Sequence, residues 1–192
     1  MAGKQAKLLS RGQLLAMLRH VKHNRYAARD TVIILLSAKA GLRAGEIANL
    51  TWPMVLDSRG HISTVIELRD CAAKKGSGRS IPMHSGLRKA LSGLKAVTDD
   101  LSGPVIRSER GGQMRPRSIV NWYSALFTEL GFEGCSSHSG RRSFITAAAR
   151  LVHKSGGSLR DVQQLAGHRS IDMTQRYIEG DTTAKRRLVN LL

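Results

Sequence analysis

Three observations predict a mainly helical fold, formally α+β, with one small three-stranded antiparallel sheet. Apolar residues recur at helical spacing along most of the chain. The pattern shortens to that of strands only between residues 54 and 83. No glycine-rich nucleotide loop follows a strand, so nothing in the chain points to ATP.

Residues 1–9 read as a basic arm or an expression remnant, and residues 10–181 as one domain. Ser10 is placed to cap a first helix, in which Leu14, Leu15, Leu18 and Val21 recur at helical spacing. A second helix begins at Arg29 or Asp30 and stops at Gly41; its segment Val32 to Leu36 is apolar nearly all round, which predicts the central buried helix. A short helix through Glu46, Ile47 and Leu50 follows and is closed by Pro53. Residues 54–56, 62–68 and 80–83 read as three strands, the last two joined by a basic, glycine-rich turn at 74–78. Ser85 is placed to cap a helix with Leu87, Leu91, Leu94 and Val97. Pro116, at a first-turn position, opens another through Ile119, Trp122, Tyr123, Leu126 and Leu130, ended by Gly131. No internal repeat or low-complexity segment interrupts the order.

Composition narrows the partners. Thirty-one Lys and Arg against fourteen Asp and Glu give a net charge of +17. Such a molecule favours a polyanion, because each neutralised phosphate releases counterions. The basic residues are spread along the chain, which fits a broad nucleic-acid face better than a basic tail. Cys71 and Cys135 form neither a metal pattern nor a disulfide framework, which suits a reducing compartment. No run approaches the ~20 apolar residues of a membrane span. With no apolar signal region at the N-terminus, the expected location is the cytoplasm.

The chemistry is concentrated between His138 and Tyr177. His138 and Arg141 are three residues apart, which on a helix puts both on one face with Cβ atoms about 5–6 Å apart. Leu159 to Ala166 reads as a helix with Gly167 at its left-handed stop, so His168 sits just past a helix end. Ser170 and Asp172 are good caps for a short second helix carrying Met173, Thr174, Tyr177 and Ile178. On one unbroken helix, His168 and Tyr177 would be ~13.5 Å apart along the axis. A break at Gly167 lets them reach a common target.

His138-Ser-Gly-Arg141, Leu165-Ala-Gly-His168 and then Tyr177 resemble the C-terminal signature of the tyrosine recombinases, the phage-integrase family. Residues 40–50, centred on Arg43, are similar to that family's first box, and residues 74–82 to its lysine-bearing turn. The likeness runs from Thr31 to Ile178 with every motif in the family's order. It implies cleavage and rejoining of double-stranded DNA through a 3′-phosphotyrosyl link, without metal or ATP. It also implies a homotetramer on DNA, allows accessory DNA-bending proteins as further partners, and makes 182–192 a candidate for a tail exchanged between subunits.

In that reading Arg43 and Arg141 clamp the scissile phosphate, since a guanidinium stays charged and presents paired donors. The plainer alternative is an ion pair, with Glu46 at helical spacing from Arg43 as partner. His138 accepts a proton or hydrogen-bonds a phosphate oxygen, and His168 donates to a non-bridging oxygen or merely caps a helix. Lys74 is the general acid for the leaving 5′ oxygen, preferred over Lys75 for its spacing to Pro82. Lys75, Arg79 and Arg142 suit DNA-backbone contacts. Tyr177 is the nucleophile, its phenol of ordinary pKa ~10 helped toward phenolate by cations; Tyr26 and Tyr123 are better placed as core tyrosines. Asp and Glu are sparse in the motif regions, which disfavours a two-metal route.

The helical domain that precedes the catalytic domain in most family members is not found in these residues, which suggests a naturally short enzyme or a catalytic fragment. Type IB topoisomerases share the chemistry and are the enzymatic alternative. A DNA-binding module without catalysis is the alternative of another class.

Overall fold

The computed structural model describes residues 5–73, 76–177 and 189–190. Lys74, Lys75, Ile178, residues 1–4 of the arm and all of 182–192 except 189 and 190 lie outside them.

The chain is organised around α2 (Ala27–Ala40), in which every residue from Val32 to Leu36 is buried. Helix α1 (Arg11–Val21) lies against it and starts at a reciprocal cap: Ser10 Oγ accepts from the Gln13 amide at 3.1 Å, and Gln13 Oε1 accepts from the Ser10 amide at 2.9 Å. Helices α4 (Ser85–Lys95) and α6 (Ser139–Leu151) pack on other faces of α2. Helix α5 (Pro116–Glu129) packs on the short α3 (Ala44–Asn49). Tyr123 of α5 is buried, as its place in the apolar repeat predicts, and its hydroxyl donates to the Ile33 carbonyl at 2.9 Å. Tyr26 is only half-buried, with the guanidinium of Arg29 over its ring.

The sheet departs from the prediction. Among the described residues it has two strands, β1 (Val65–Leu68) and β2 (Arg79–Pro82), antiparallel with Val65 opposite Pro82 and Leu68 opposite Arg79. The expected first strand is instead a 3-10 turn at Trp52–Met54, after which Leu56 makes a single bridge to Ile62. Pro53 fixes a helical φ there, and the Val55 amide turns back to the Trp52 carbonyl at 2.9 Å. Met54 and Val55 are buried by packing, so their apolar run reflects the core and not strand pairing.

Two helix starts also move. Helix α2 begins at Ala27, ahead of Arg29 and Asp30; α4 is capped by His84, whose Nδ1 accepts from the Gly86 amide at 3.0 Å, and not by Ser85. Past α6, the chain makes a 3-10 turn and enters α7 (Leu159–Ala166) and α8 (Ile171–Gln175). Ile145, Ala149, Val152, Val162 and Ala166 form a second, smaller core that holds α7 on α6. Among the described residues no helix is long and apolar enough to cross a membrane.

Candidate active site

Four chain breaks set the site. The first is Gly41, left-handed at φ 67°, which ends α2 and leaves its carbonyl free to accept from Arg141 Nη1 at 2.5 Å. A Cβ at this glycine would stand 2.5 Å from the Phe144 ring. Two residues on, Arg43 occupies the N-cap of α3. Its amide donates to Glu46 Oε2 at 3.0 Å and its Nη1 to Glu46 Oε1 at 2.7 Å. The ion pair read as the plainer alternative therefore exists, yet Arg43, 20% exposed, still lines the cleft.

The second break is the start of α6. His138 stands at its N-cap position and is exposed, while Arg141, in the first turn, is buried. Both line the same cleft, as the spacing predicts. Arg141 Nη2 donates to the Ala166 carbonyl at 2.6 Å, so its guanidinium bridges the ends of α2 and α7.

The third break is the one foreseen at Gly167, with φ 61° at the end of α7. His168 follows, 7% exposed, with Nδ1 at 2.9 Å from the hydroxyl of Thr174. Helix α8 turns the chain back, and the Tyr177 ring lies over His168 with centroids 5.5 Å apart. Tyr177 sits in the turn after α8 and not on the helix, and its carbonyl accepts from the Thr146 hydroxyl at 3.4 Å.

The fourth is the β1–β2 turn, represented by its described base. Arg79, read from the sequence as a DNA-backbone contact, is placed otherwise: its side chain is 7% exposed and paired with Glu46. Arg142, read in the same way, lines the cleft while donating to the Ala6 carbonyl and, at 2.6 Å, to Gln5 Oε1 of the arm.

Arg43, His138, Arg141, His168 and Tyr177 thus share one cleft of about 610 Å³. Arg169 and Arg176 line it too, and sequence reasoning passed over both. They are direct neighbours of His168 and Tyr177 in the chain, and that adjacency was the available signal. Among the described residues no group of three or more His, Cys, Asp or Glu is placed to hold a metal ion.

So many cations at close quarters shift one another. Burial first, and then the charge of Arg43, pull the Arg141 pKa down to about 10, with Glu46 opposing. Burial, followed by Arg141, Arg43 and Arg79, pushes His168 down to about 4, so its ring is neutral at pH 7. Burial acts to raise the Glu46 pKa, but the hydrogen bond and charge of Arg79, then those of Arg43, outweigh it, and the net shift is downward. A site with this balance attracts an anion, since a bound anion relieves the repulsion among the arginines.

Solved structures identify the fold. It matches the XerA recombinase at TM-score 0.74 and 24% identity, over 96% of this chain and 64% of that one. It matches the Tn1549 transposon integrase, solved in complex with a circular intermediate DNA, at TM-score 0.75 and 18% identity, over 100% of this chain and 67% of that one. This is the fold of tyrosine-recombinase catalytic domains. The model of the phage integrase family matches residues 7–183, and the chain belongs to that family. Among curated relatives, tyrosine recombinase XerC of Pseudomonas savastanoi pv. phaseolicola (strain 1448A / Race 6) is 34% identical over 159 residues, 81% of this chain and 49% of that protein. XerC of Brucella suis biovar 1 (strain 1330) is 30% identical over 160 residues, 81% of this chain and 48% of its own length. The chain spans about half the length of the curated relatives it matches.

Proposed function

We propose that this chain is the catalytic domain of a site-specific DNA recombinase or integrase that breaks and rejoins double-stranded DNA without metal or ATP. The observation that carries the reading is the convergence of Arg43, His138, Arg141, His168 and Tyr177, from distant segments, on one cleft.

The Tyr177 oxygen attacks the scissile phosphorus in line and gives up its proton to solvent or to His138. A bond forms between the phenolic oxygen and phosphorus, and the bond to the 5′ oxygen breaks. Lys74 protonates that oxygen, which leaves as a hydroxyl. Arg43 and Arg141 neutralise the charge that grows on the non-bridging oxygens, and the neutral ring of His168 donates to one of them. One phosphoester replaces another, so a 5′ hydroxyl can reverse the step with no energy source.

The relatives are recombinases and integrases, which favours strand exchange over relaxation of the type IB topoisomerase kind. The partners follow from that: duplex DNA, further copies of the chain as a tetramer, segment 182–192 exchanged between neighbours, and accessory DNA-bending proteins. The work belongs in the cytoplasm with the DNA. Lys75 and Arg142 are assigned to DNA-backbone contact, with Arg169 and Arg176 added to them.

The test is a nicked target duplex incubated with the protein and run on a denaturing gel. A covalent adduct is expected, and Tyr177→Phe should abolish it while DNA binding survives. An adduct that persists in the variant would sink the assignment of the nucleophile.

A further inference from the structure

One guanidinium that does not line the cleft is bonded to the carboxylate that pairs with Arg43. Arg79 Nη1 and Nη2 donate to Glu46 Oε1 and Oε2 at 3.2 and 3.1 Å, a two-pronged pair on the carboxylate that also binds Arg43. Its Nε donates to the Leu165 carbonyl at 2.9 Å, and its Nη1 reaches the Ser77 carbonyl at 3.3 Å. Arg141 takes the next carbonyl along, that of Ala166, at 2.6 Å. Two arginines therefore cap consecutive carbonyls at the end of α7, where the helix dipole favours positive charge. Gly167 makes this approach possible, because a Cβ there would stand 2.8 Å from Arg79 Nη1.

We infer that Arg79 is a positioning residue for the phosphate clamp: it holds Glu46, and through it Arg43, in register with the α7 terminus that carries His168 and anchors Arg141. The chain of contacts runs from Arg43 through Glu46 to Arg79, then across the Leu165 and Ala166 carbonyls to Arg141 and Gly41. A lysine cannot replace the fork. It keeps the charge but offers no planar set of donors to span a carboxylate and a carbonyl together. Arg79 acts on the substrate only through these neighbours. The inference rests on the reading of Arg43 and Arg141 as the scissile-phosphate clamp.

The experiment is single-turnover cleavage of two duplexes, one natural and one with a methyl group in place of a non-bridging oxygen at the scissile phosphate. The methylphosphonate is neutral there, so it depends less on the clamp. Arg79→Lys should slow the natural duplex roughly tenfold or more and the neutral duplex about twofold, because only charge stabilisation is misplaced. An equal penalty on both duplexes would overturn the inference, whether it reflects a smaller folded fraction or a contact to some other phosphate. Arg43→Ala is the control for the clamp itself: if its penalty is the same on both duplexes, the clamp reading fails, independently of Arg79. Amide exchange without DNA then decides Arg79 alone. In Arg79→Lys, peptides covering 44–50 and 163–169 should both exchange faster, and unchanged exchange in either one overturns the positioning role.

Discussion

The Nδ1 atom of His168 and the buried hydroxyl of Thr174 are 2.9 Å apart, so this pairing engages one of the two ring nitrogens. With a neutral ring and Thr174 donating to Nδ1, the proton sits on Nε2, the tautomer that can donate to a phosphate oxygen. Thr174→Val should therefore slow cleavage about tenfold, on the order of one hydrogen bond, while DNA affinity holds. Thr174→Ser, which keeps the hydroxyl, should restore the rate. A valine variant as fast as the parent in single-turnover assays would remove Thr174 from the mechanism.

Acid stability carries a signature of the same histidine. Its pKa falls from 6.5 to about 4 on folding, so as pH drops the unfolded chain takes up the proton first. The stabilisation is present above pH 6.5 and is lost as pH falls toward about 4. His84, lowered by burial and by Lys39, contributes in the same direction. Urea unfolding of the parent and of His168→Gln between pH 7 and pH 4.5 isolates the first residue: the variant should lose stability less steeply. Parallel pH profiles would mean that His168 is protonated in the folded chain as readily as in the unfolded one.

Arg141→Ala should cost ~2.7–4 kcal/mol of transition-state stabilisation, the scale of a lost electrostatic donor in an active site. Single-turnover cleavage measures this directly. A loss of less than about tenfold, ~1.4 kcal/mol, would show that the clamp lies elsewhere.

Gly41→Ala should destabilise the fold by about 2–5 kcal/mol, adding a left-handed backbone penalty to overpacking against an aromatic ring. The backbone there has φ 67°, and the new methyl would stand 2.5 Å from Phe144. Denaturant unfolding tests it, and a loss of unfolding free energy under ~0.5 kcal/mol would contradict the placement.

Much of this was legible in the chain. Gly41 and Gly167 announced the two helix stops because glycine adopts positive φ at little cost, and those stops dictate where Arg43 and His168 fall. The apolar run of α2 announced the central helix. The three-residue spacing of His138 and Arg141 announced a shared face. What stayed hidden are bonds from side chains to backbone carbonyls. Every residue has a carbonyl, so nothing in the spelling marks Leu165, Ala166 or Gly41 as the acceptors for Arg79 and Arg141. Arg79 reads as a DNA-backbone contact on that account, since a buried and an exposed arginine look alike in a basic turn. Met54 and Val55 misled for a related reason: core packing and strand pairing both select apolar residues, and only Pro53 argued for the turn.

Gly41 closes the central buried helix and hands its carbonyl to Arg141, so the interior and the cleft share a single peptide unit. Changes to α2 made far from the cleft, for instance to improve heat tolerance, should tug on the guanidinium that we propose as part of the phosphate clamp. Thermal robustness and turnover should therefore shift together, and a variant library aimed at one should be assayed for the other.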